Sequence, residues 1–244
     1  MQRVTVSGRT FAVDDDKPSF WERAANGQWE PELLADLAAA LGPGDLLLDI
    51  GGWVGPISLL AASCGAHVVA LEPDPAAARQ FRANVAANPD LAARITLIEA
   101  ALTADGGPVT LGSPRKPGDS MSSLLLAGKG VANWEAESLT PAALVARLPA
   151  FQRLFIKIDI EGGEYQLGRA FAPLAKLQPE AVWLGFHPAI LSASAQKDEA
   201  ALKSDTQALF AVWEGLMPQI LGSDAVDVLG EALRAPITVK FSHP

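Results

Sequence analysis

Apolar positions along the chain fall into two rhythms. Short unbroken runs end at glycine or at an acid, and between them apolar residues recur at helical spacing. The runs predict strands near 46–50, 67–71, 95–99, 153–159 and 181–186, with Ile237 to Phe241 as a last strand. Helices are expected near 55–64, 75–88, 140–148 and 162–171, with a long one near 195–217. Val4–Val6 and Thr10–Val13 alternate around Ser7-Gly8, which predicts an N-terminal hairpin. Asp16-Lys17-Pro18 has the form of a helix start, with a stop near Gly27, and a second helix is expected from Pro31 to just before Gly42-Pro43-Gly44. Residues 103–138 are rich in Gly, Pro and Ser and predict a loop with one short strand, Val109 to Leu111. Strands alternating with helices imply an α/β fold, a doubly wound, mostly parallel sheet with right-handed crossovers. One domain over residues 1–244 is expected, with the hairpin and helices in 1–44 and the core in 45–244.

The junction after the first core strand carries the most chemistry. Leu48-Asp49-Ile50-Gly51-Gly52-Trp53-Val54-Gly55 joins a strand to a helix through glycines, which let backbone approach a ligand closely. A dinucleotide pyrophosphate would sit at such a helix start, but Asp49 would repel it. A carboxylate there suits a ligand with a positive amino group or sulfonium, and S-adenosylmethionine carries both. The glycines Gly51, Gly52 and Gly55 also lack the G-x-G-x-x-G spacing of dinucleotide sites. The next strand ends at Glu72-Pro73-Asp74, and Glu72 stands 21 positions after Gly51, the offset of an acid that accepts both ribose hydroxyls. Ribose recognition is common to both ligand classes, so Glu72 alone does not separate them.

Composition narrows the partners. The formal net charge is −9, with 19 Lys and Arg scattered among 28 acids, which argues against nucleic acid. Arg115-Lys116 is the one notable basic pair, and it lies in a Gly/Pro/Ser-rich stretch read as a solvated loop. Mean hydropathy is +0.19, yet acids such as Asp36, Asp45 and Asp49 interrupt the richest region, so no membrane partner is expected. The single Cys64 and the absence of a signal-peptide pattern over residues 1–13 point to a cytoplasmic protein. Composition is silent on oligomeric state.

Ligands in such a sheet sit outside the carboxyl ends of the strands. That rule collects Asp49 and the glycines, Glu72, Glu99-Ala100-Ala101 as an adenine wall, Asp159 and Glu161, and His187. Lys157 and Asp159 share one side of the fourth core strand, where charges call for a reason. They either pair as a structural device, or Asp159 faces the transferred methyl and the acceptor hydroxyl. Asp159 and His187 are the two candidates for the base that removes the hydroxyl proton. Asp159, Glu161 and Glu164 form an oxygen-rich set of the sort that binds Mg²⁺ in some O-methyltransferases. Nothing in the sequence fixes a ligand geometry, and no metal ligand is assigned. Ser120, Ser122 and Ser123 fall in the loop expected over the cleft, and Phe20, Trp21 and Trp29 could shape the acceptor entrance.

Several of these segments together resemble the FkbM family of S-adenosylmethionine-dependent methyltransferases. They are Trp29-Glu30-Pro31, Asp49-Ile50-Gly51-Gly52-Trp53-Val54-Gly55, Glu72-Pro73, Asn84 and Lys157-Ile158-Asp159-Ile160-Glu161-Gly162-Gly163-Glu164, in family order across residues 20–190. Gly52 replaces the family's usual alanine, and the chain after His187 has no match to it. The resemblance implies a Rossmann-like class I methyltransferase fold and O-methylation of a hydroxyl on a sugar, polyketide, other small metabolite or glycan. It implies a donor site drawn from Glu30, Asp49, Gly51, Gly52, Gly55, Glu72, Pro73, Glu99, Ala100 and Asp159. The alternatives are a nicotinamide-dependent oxidoreductase and a non-catalytic adenosylmethionine-binding module.

Overall fold

The computed structural model describes residues 1–14, 16–129, 131–190 and 199–244. The strands in chain order are β1 (Gln2–Val6), β2 (Arg9–Val13), β3 (Asp45–Ile50), β4 (His67–Leu71), β5 (Ile95–Ile98), β6 (Ala101–Leu102), β7 (Gly107–Ser113), β8 (Ala132–Leu139), β9 (Arg153–Ile158), β10 (Ala181–Phe186), β11 (Met217–Ile220) and β12 (Ile237–Ser242). Seven of them form one sheet in the order β11-β12-β10-β9-β3-β4-β5. Strands β5, β4, β3, β9 and β10 run parallel, while β12 lies antiparallel between β10 and β11. The fold is therefore Rossmann-like, doubly wound and mostly parallel, with β1 and β2 as a separate N-terminal hairpin.

Both faces of the sheet are covered, as the continuous apolar runs require. Alternate residues of β3 show the division: Leu46, Leu48 and Ile50 join one core, while Leu47 joins the other. On the Leu47 face pack the hairpin and the helices Pro18–Ala25, Pro31–Ala40, Pro56–Ser63 and Pro75–Ala86, centred on Trp21, Leu37, Leu60 and Phe81. On the other face pack Glu164–Leu167, Ala172–Ala175, Glu199–Val212 and Val228–Ala232, through Tyr165, Leu174, Leu209 and Ala232. Asn84 and Asn88 stitch the hairpin to this frame: Asn88 accepts from Ala12 N and donates to Ala12 O, both at 2.7 Å. Asn84 accepts from Asp14 N at 2.7 Å and donates to Val54 O at 2.8 Å, so it also holds the glycine turn.

Three segments depart from the expected elements. Residues 103–138 do not form a mere loop: β7 pairs with β8 along its whole length, in a three-stranded sheet of order β6-β8-β7. The helix expected over 162–171 is broken into Glu164–Leu167, a 3₁₀ turn Gly168–Phe171 and Ala172–Ala175, with Gly168 at φ 40° at the break. The helix expected over 195–217 ends at Val212, and Met217 already belongs to β11; its residues before Glu199 lie outside the described residues. Among the described residues, no helix is long and apolar enough to cross a membrane.

The chain runs outward from β3 through β4 to β5, then returns across β3 to β9 and β10. The switch point between β3 and β9 is where crossovers leave in opposite directions and the strand ends open into a crevice.

Candidate donor and acceptor site

A cavity occupies that crevice. Its lining combines the turn residues Gly51, Gly52 and Trp53, the strand-end Glu72 and Pro73, the apolar Ala100, Ala101, Leu102 and Leu111, and the charged Glu30, Lys157, Asp159 and Glu161. A second cavity adjoins it, lined by Glu30, Glu32, Asp159, Gly185, His187 and Thr238 among others. Glu30 and Asp159 face both, so they stand in the wall between them.

The glycine turn is shaped by close packing. Gly51 has φ 86°, and a Cβ there would overlap the Asp159 carbonyl oxygen. Its carbonyl accepts from Lys157 Nζ at 2.9 Å. Lys157 is also 3.6 Å from Asp49 and 3.7 Å from Asp159. Lys157 thus braces the turn against two strand-end acids, which is the structural device left open by the sequence. Burial alone would lower its ammonium, but Asp159, Asp49 and Glu30 outweigh that and raise it.

Asp49 itself lies behind the turn and outside the cavity lining. It is fully buried, Ser58 Oγ donates to it at 2.6 Å, and burial raises its carboxyl. The acids that reach the cavity from that direction are Glu30 and Asp159. Gly55 also lies outside the lining, and a Cβ there would press on Phe81. Glu99 is exposed and paired with Arg82, again outside the lining; of the three residues expected as an adenine wall, Ala100 and Ala101 line the cavity, with Leu102 beside them. At the end of β5 the chain turns Ala100 inward and leaves its neighbour Glu99 toward solvent.

Glu72 is held for its task. Its carboxylate accepts from Trp53 N at 2.7 Å and from Asp74 N at 2.8 Å, one bond to each oxygen. Each oxygen keeps further acceptor capacity, and Glu72 lines the cavity. Burial pushes its carboxyl up to about 7, even though the two amides pull it down. Above that, a loop closes the cavity. Gly118 N donates to Asp74 at 2.6 Å, and the Gly118 carbonyl accepts from Lys17 Nζ at 2.8 Å and from Trp53 Nε1 at 3.1 Å. Ser120, Ser122 and Ser123 line the cavity under this loop, as expected. Phe20 and Trp29 also line it and meet edge to face, while Trp21 faces the core against Phe11.

The ends of β9 and β10 carry a dense charge cluster. His187 Nε2 is 3.5 Å from Asp159 and 3.7 Å from Glu161, and its Nδ1 is 3.6 Å from Glu164. Burial would lower the His187 imidazole, but Glu164, Asp159 and Glu161 raise it to about 10. It is therefore protonated at neutral pH in the ligand-free chain, contrary to the near-neutral titration that made it attractive as a base. Burial would raise Asp159, but Lys157 and His187 hold it below its ordinary value. Burial and the Asp159 charge lift Glu30 and Glu161 to about 7. Glu164 is buried and accepts from Ile160 N and Gly162 N, each at 2.7 Å, which fixes the turn after β9. Sequence reasoning paired Lys157 with Asp159 as one option but missed its bond to the Gly51 carbonyl and its contact with Asp49, along with Arg23 in the lining and Asp74 as the loop's anchor. Asp74 was legible as a helix cap before Pro75, but its link to Gly118, 44 positions away, was not.

No protein-family model matches the chain, and no curated protein matches it. Similar solved structures include the precorrin-6y C5,15-methyltransferase of Geobacter metallireducens GS-15, at 15% identity and TM-score 0.45, covering 96% of this chain and 95% of that one. They include the precorrin 8w decarboxylase of Methanobacterium thermoautotrophicum, at 15% identity and TM-score 0.47, covering 88% and 90%. The fibrillarin of Aeropyrum pernix, with natively bound S-adenosyl-L-methionine, is similar at 12% identity and TM-score 0.45, covering 82% and 67%. At such identities the likeness is one of fold.

Proposed function

We propose that this chain, as one catalytic unit, is an S-adenosylmethionine-dependent methyltransferase that methylates a hydroxyl of a small metabolite or glycan. The observation that carries the reading is the pair of adjoining cavities at the switch point, with Glu72 deep in the first and Glu30 and Asp159 in their common wall. The residues present fit the donor end to end. Ala100 to Leu102 offer an apolar wall to adenine, and Glu72 offers two acceptor oxygens to the ribose diol. Glu30 and Asp159 offer negative charge to the sulfonium and the amino group. A pyrophosphate fits poorly, since the basic residues in the lining are Arg23 and Lys157, and Lys157 is committed to the turn and its acids. The donor, when bound, supplies an already activated methyl.

This chain's residues then have to hold an acceptor oxygen in line with that methyl and receive its proton. Alignment of this type contributes up to about 7–11 kcal/mol in well-oriented models. Asp159 and His187 border the second cavity from the donor side, so an acceptor there meets them first. Of the two, ionised Asp159 is the group able to take a proton. The acidic cavity walls and the net charge of −9 favour a small acceptor over a nucleic acid. The FkbM resemblance adds the expectation that the acceptor is a sugar, polyketide or related hydroxyl. The test is transfer of labelled methyl from S-adenosylmethionine to a panel of hydroxyl, amine and carbon acceptors, with the product's linkage identified by mass and by alkaline and acid stability. Label found only on nitrogen or carbon, or none transferred to any acceptor class, would sink the O-methyl reading.

A further inference from the structure

The cluster between the two cavities brings charges together without hydrogen bonds between them. The Asp159 and Glu161 carboxylates and the His187 imidazole each offer one ligand atom, all within 4.8 Å of one another. Yet His187 Nε2 stays 3.5 Å from Asp159 and 3.7 Å from Glu161, too long for hydrogen bonds. Asp159 Oδ1 is buried with no hydrogen-bond partner. Adjacent ligands of a tetrahedral ion at about 2.0–2.3 Å stand about this far apart, and those of an octahedral ion about half an ångström closer, so the side chains need close only slightly on either.

Independent features hold these atoms apart and aimed together. Glu161 has φ 54°, a left-handed conformation that is costly for a non-glycine residue. Ser123 Oγ, donating to the Glu161 carbonyl at 2.7 Å, fixes it there. Gly185 leaves the space for the site, since a Cβ would lie 3.0 Å from His187 Cε1 and 3.2 Å from Asp159 Oδ1. Behind the imidazole stands Glu164, 3.6 Å from Nδ1, with its carboxylate pinned by two backbone amides. Nδ1 has no hydrogen-bond partner, and a shift of about half an ångström would let it donate to Glu164, as a metal-bound histidine does to an outer carboxylate. Lys157 approaches Asp159 on Oδ2, leaving Oδ1 to the cluster.

We propose that Asp159, Glu161 and His187 bind a small divalent cation, and that its open positions take an acceptor presenting two adjacent oxygens. Two carboxylate oxygens and one imidazole nitrogen suit Mg²⁺, Mn²⁺ or Zn²⁺. The ion would displace the imidazole proton to solvent, and would lie in the wall between donor and acceptor cavities. Glu164 is then an outer partner and not the ligand that its place in the sequence suggested. An ion there would make an adjacent diol or hydroxy-carbonyl group the recognised unit, which deepens the proposed function and rests on it.

The test uses chelator-treated whole protein, without donor or acceptor, titrated with Mn²⁺ and followed by electron paramagnetic resonance. One saturable Mn²⁺ per chain is expected, displaced by Mg²⁺ or Zn²⁺. His187→Gln and Asp159→Asn should each weaken it at least about tenfold, as should Glu164→Gln, because outer partners alone are worth about 10–100-fold in metal affinity. Cooperative thermal unfolding of each ion-free variant verifies that it is folded. Failure of Mn²⁺, Mg²⁺ and Zn²⁺ alike to bind the unaltered protein overturns the inference, as does binding unchanged in folded His187→Gln and Asp159→Asn. S-adenosylhomocysteine binding in the same chelator-treated sample separates the two claims: donor binding without Mn²⁺ binding removes only the ion, and Mn²⁺ binding without donor binding removes the methyltransferase reading.

Discussion

Glu72→Ala removes the proposed ribose acceptor and reports on the donor pocket through two independent signals. The first is affinity. Hydrogen bonds to a charged group are worth about 1.5–3 kcal/mol, so S-adenosylhomocysteine should bind about 10- to 150-fold more weakly. The second is a pH signature of stability. Burial lifts Glu72 from 4.5 to about 7, so through that window the folded chain keeps a proton that the unfolded chain has lost. The group therefore contributes stability that is complete below the unfolded value and lost as pH rises through about 7, on the order of 3 kcal/mol. In the alanine variant this contribution is absent, and Trp53 N and Asp74 N also lose their acceptor. Thermal unfolding should thus show a larger deficit at about pH 5 than at about pH 8. Affinity should move the other way in the unaltered protein: below about pH 7 the protonated carboxyl offers less to two hydroxyls, so binding weakens, while the variant is flatter. Calorimetric titration at both pH values, with scanning calorimetry on the same samples, checks each arm. Unaltered affinity in the variant at about pH 8 would refute the placement of the ribose, and a pH-independent stability deficit would refute the buried titration.

Gly51→Ala should destabilise the chain by at least about 2 kcal/mol in denaturant unfolding, because φ 86° and overlap with the Asp159 carbonyl coincide there. Asp74→Ala should speed tryptic cleavage after Arg115, since Gly118 and Ser122 lose their anchor, and should cost about 0.5–2 kcal/mol through the lost helix cap. Asp159→Asn should weaken S-adenosylhomocysteine binding, because a charge offered to the donor's amino group is lost, and with saturating donor should still lose about 10²-fold or more in kcat, because the proposed base is gone.

The alternation of apolar runs and helical spacing made the core sheet readable, because a strand buried on both faces is apolar along nearly its whole length, Asp49 in β3 and Lys157 in β9 being exceptions. Leu46 to Ile50 and Ala181 to Phe186 are of this type, buried throughout. β8 was not readable for the opposite reason. Its solvent-facing Glu135 and Glu137 and its alanines give little strand preference, and only its pairing with β7 makes it a strand. β11, at an edge and containing Pro218, carried no signal either. In the site, the strand-end rule brought Gly51, Gly52, Glu72, Pro73, Ala100 and Asp159 to one cavity. It could not say which way a side chain turns after the strand stops, so Glu99 pointing outward and Asp49 sitting behind the turn emerge only from three-dimensional packing. Equally hidden was the titration of His187, which is set by three acids that converge on it from the turn after β9.

The central claim is that the crevice at the switch point is an adenosylmethionine site. Isothermal titration of the unaltered protein with S-adenosylhomocysteine and, separately, with NAD tests it most directly. The account predicts saturable one-to-one binding of S-adenosylhomocysteine and no comparable affinity for NAD. Tight NAD binding with no response to S-adenosylhomocysteine would contradict it.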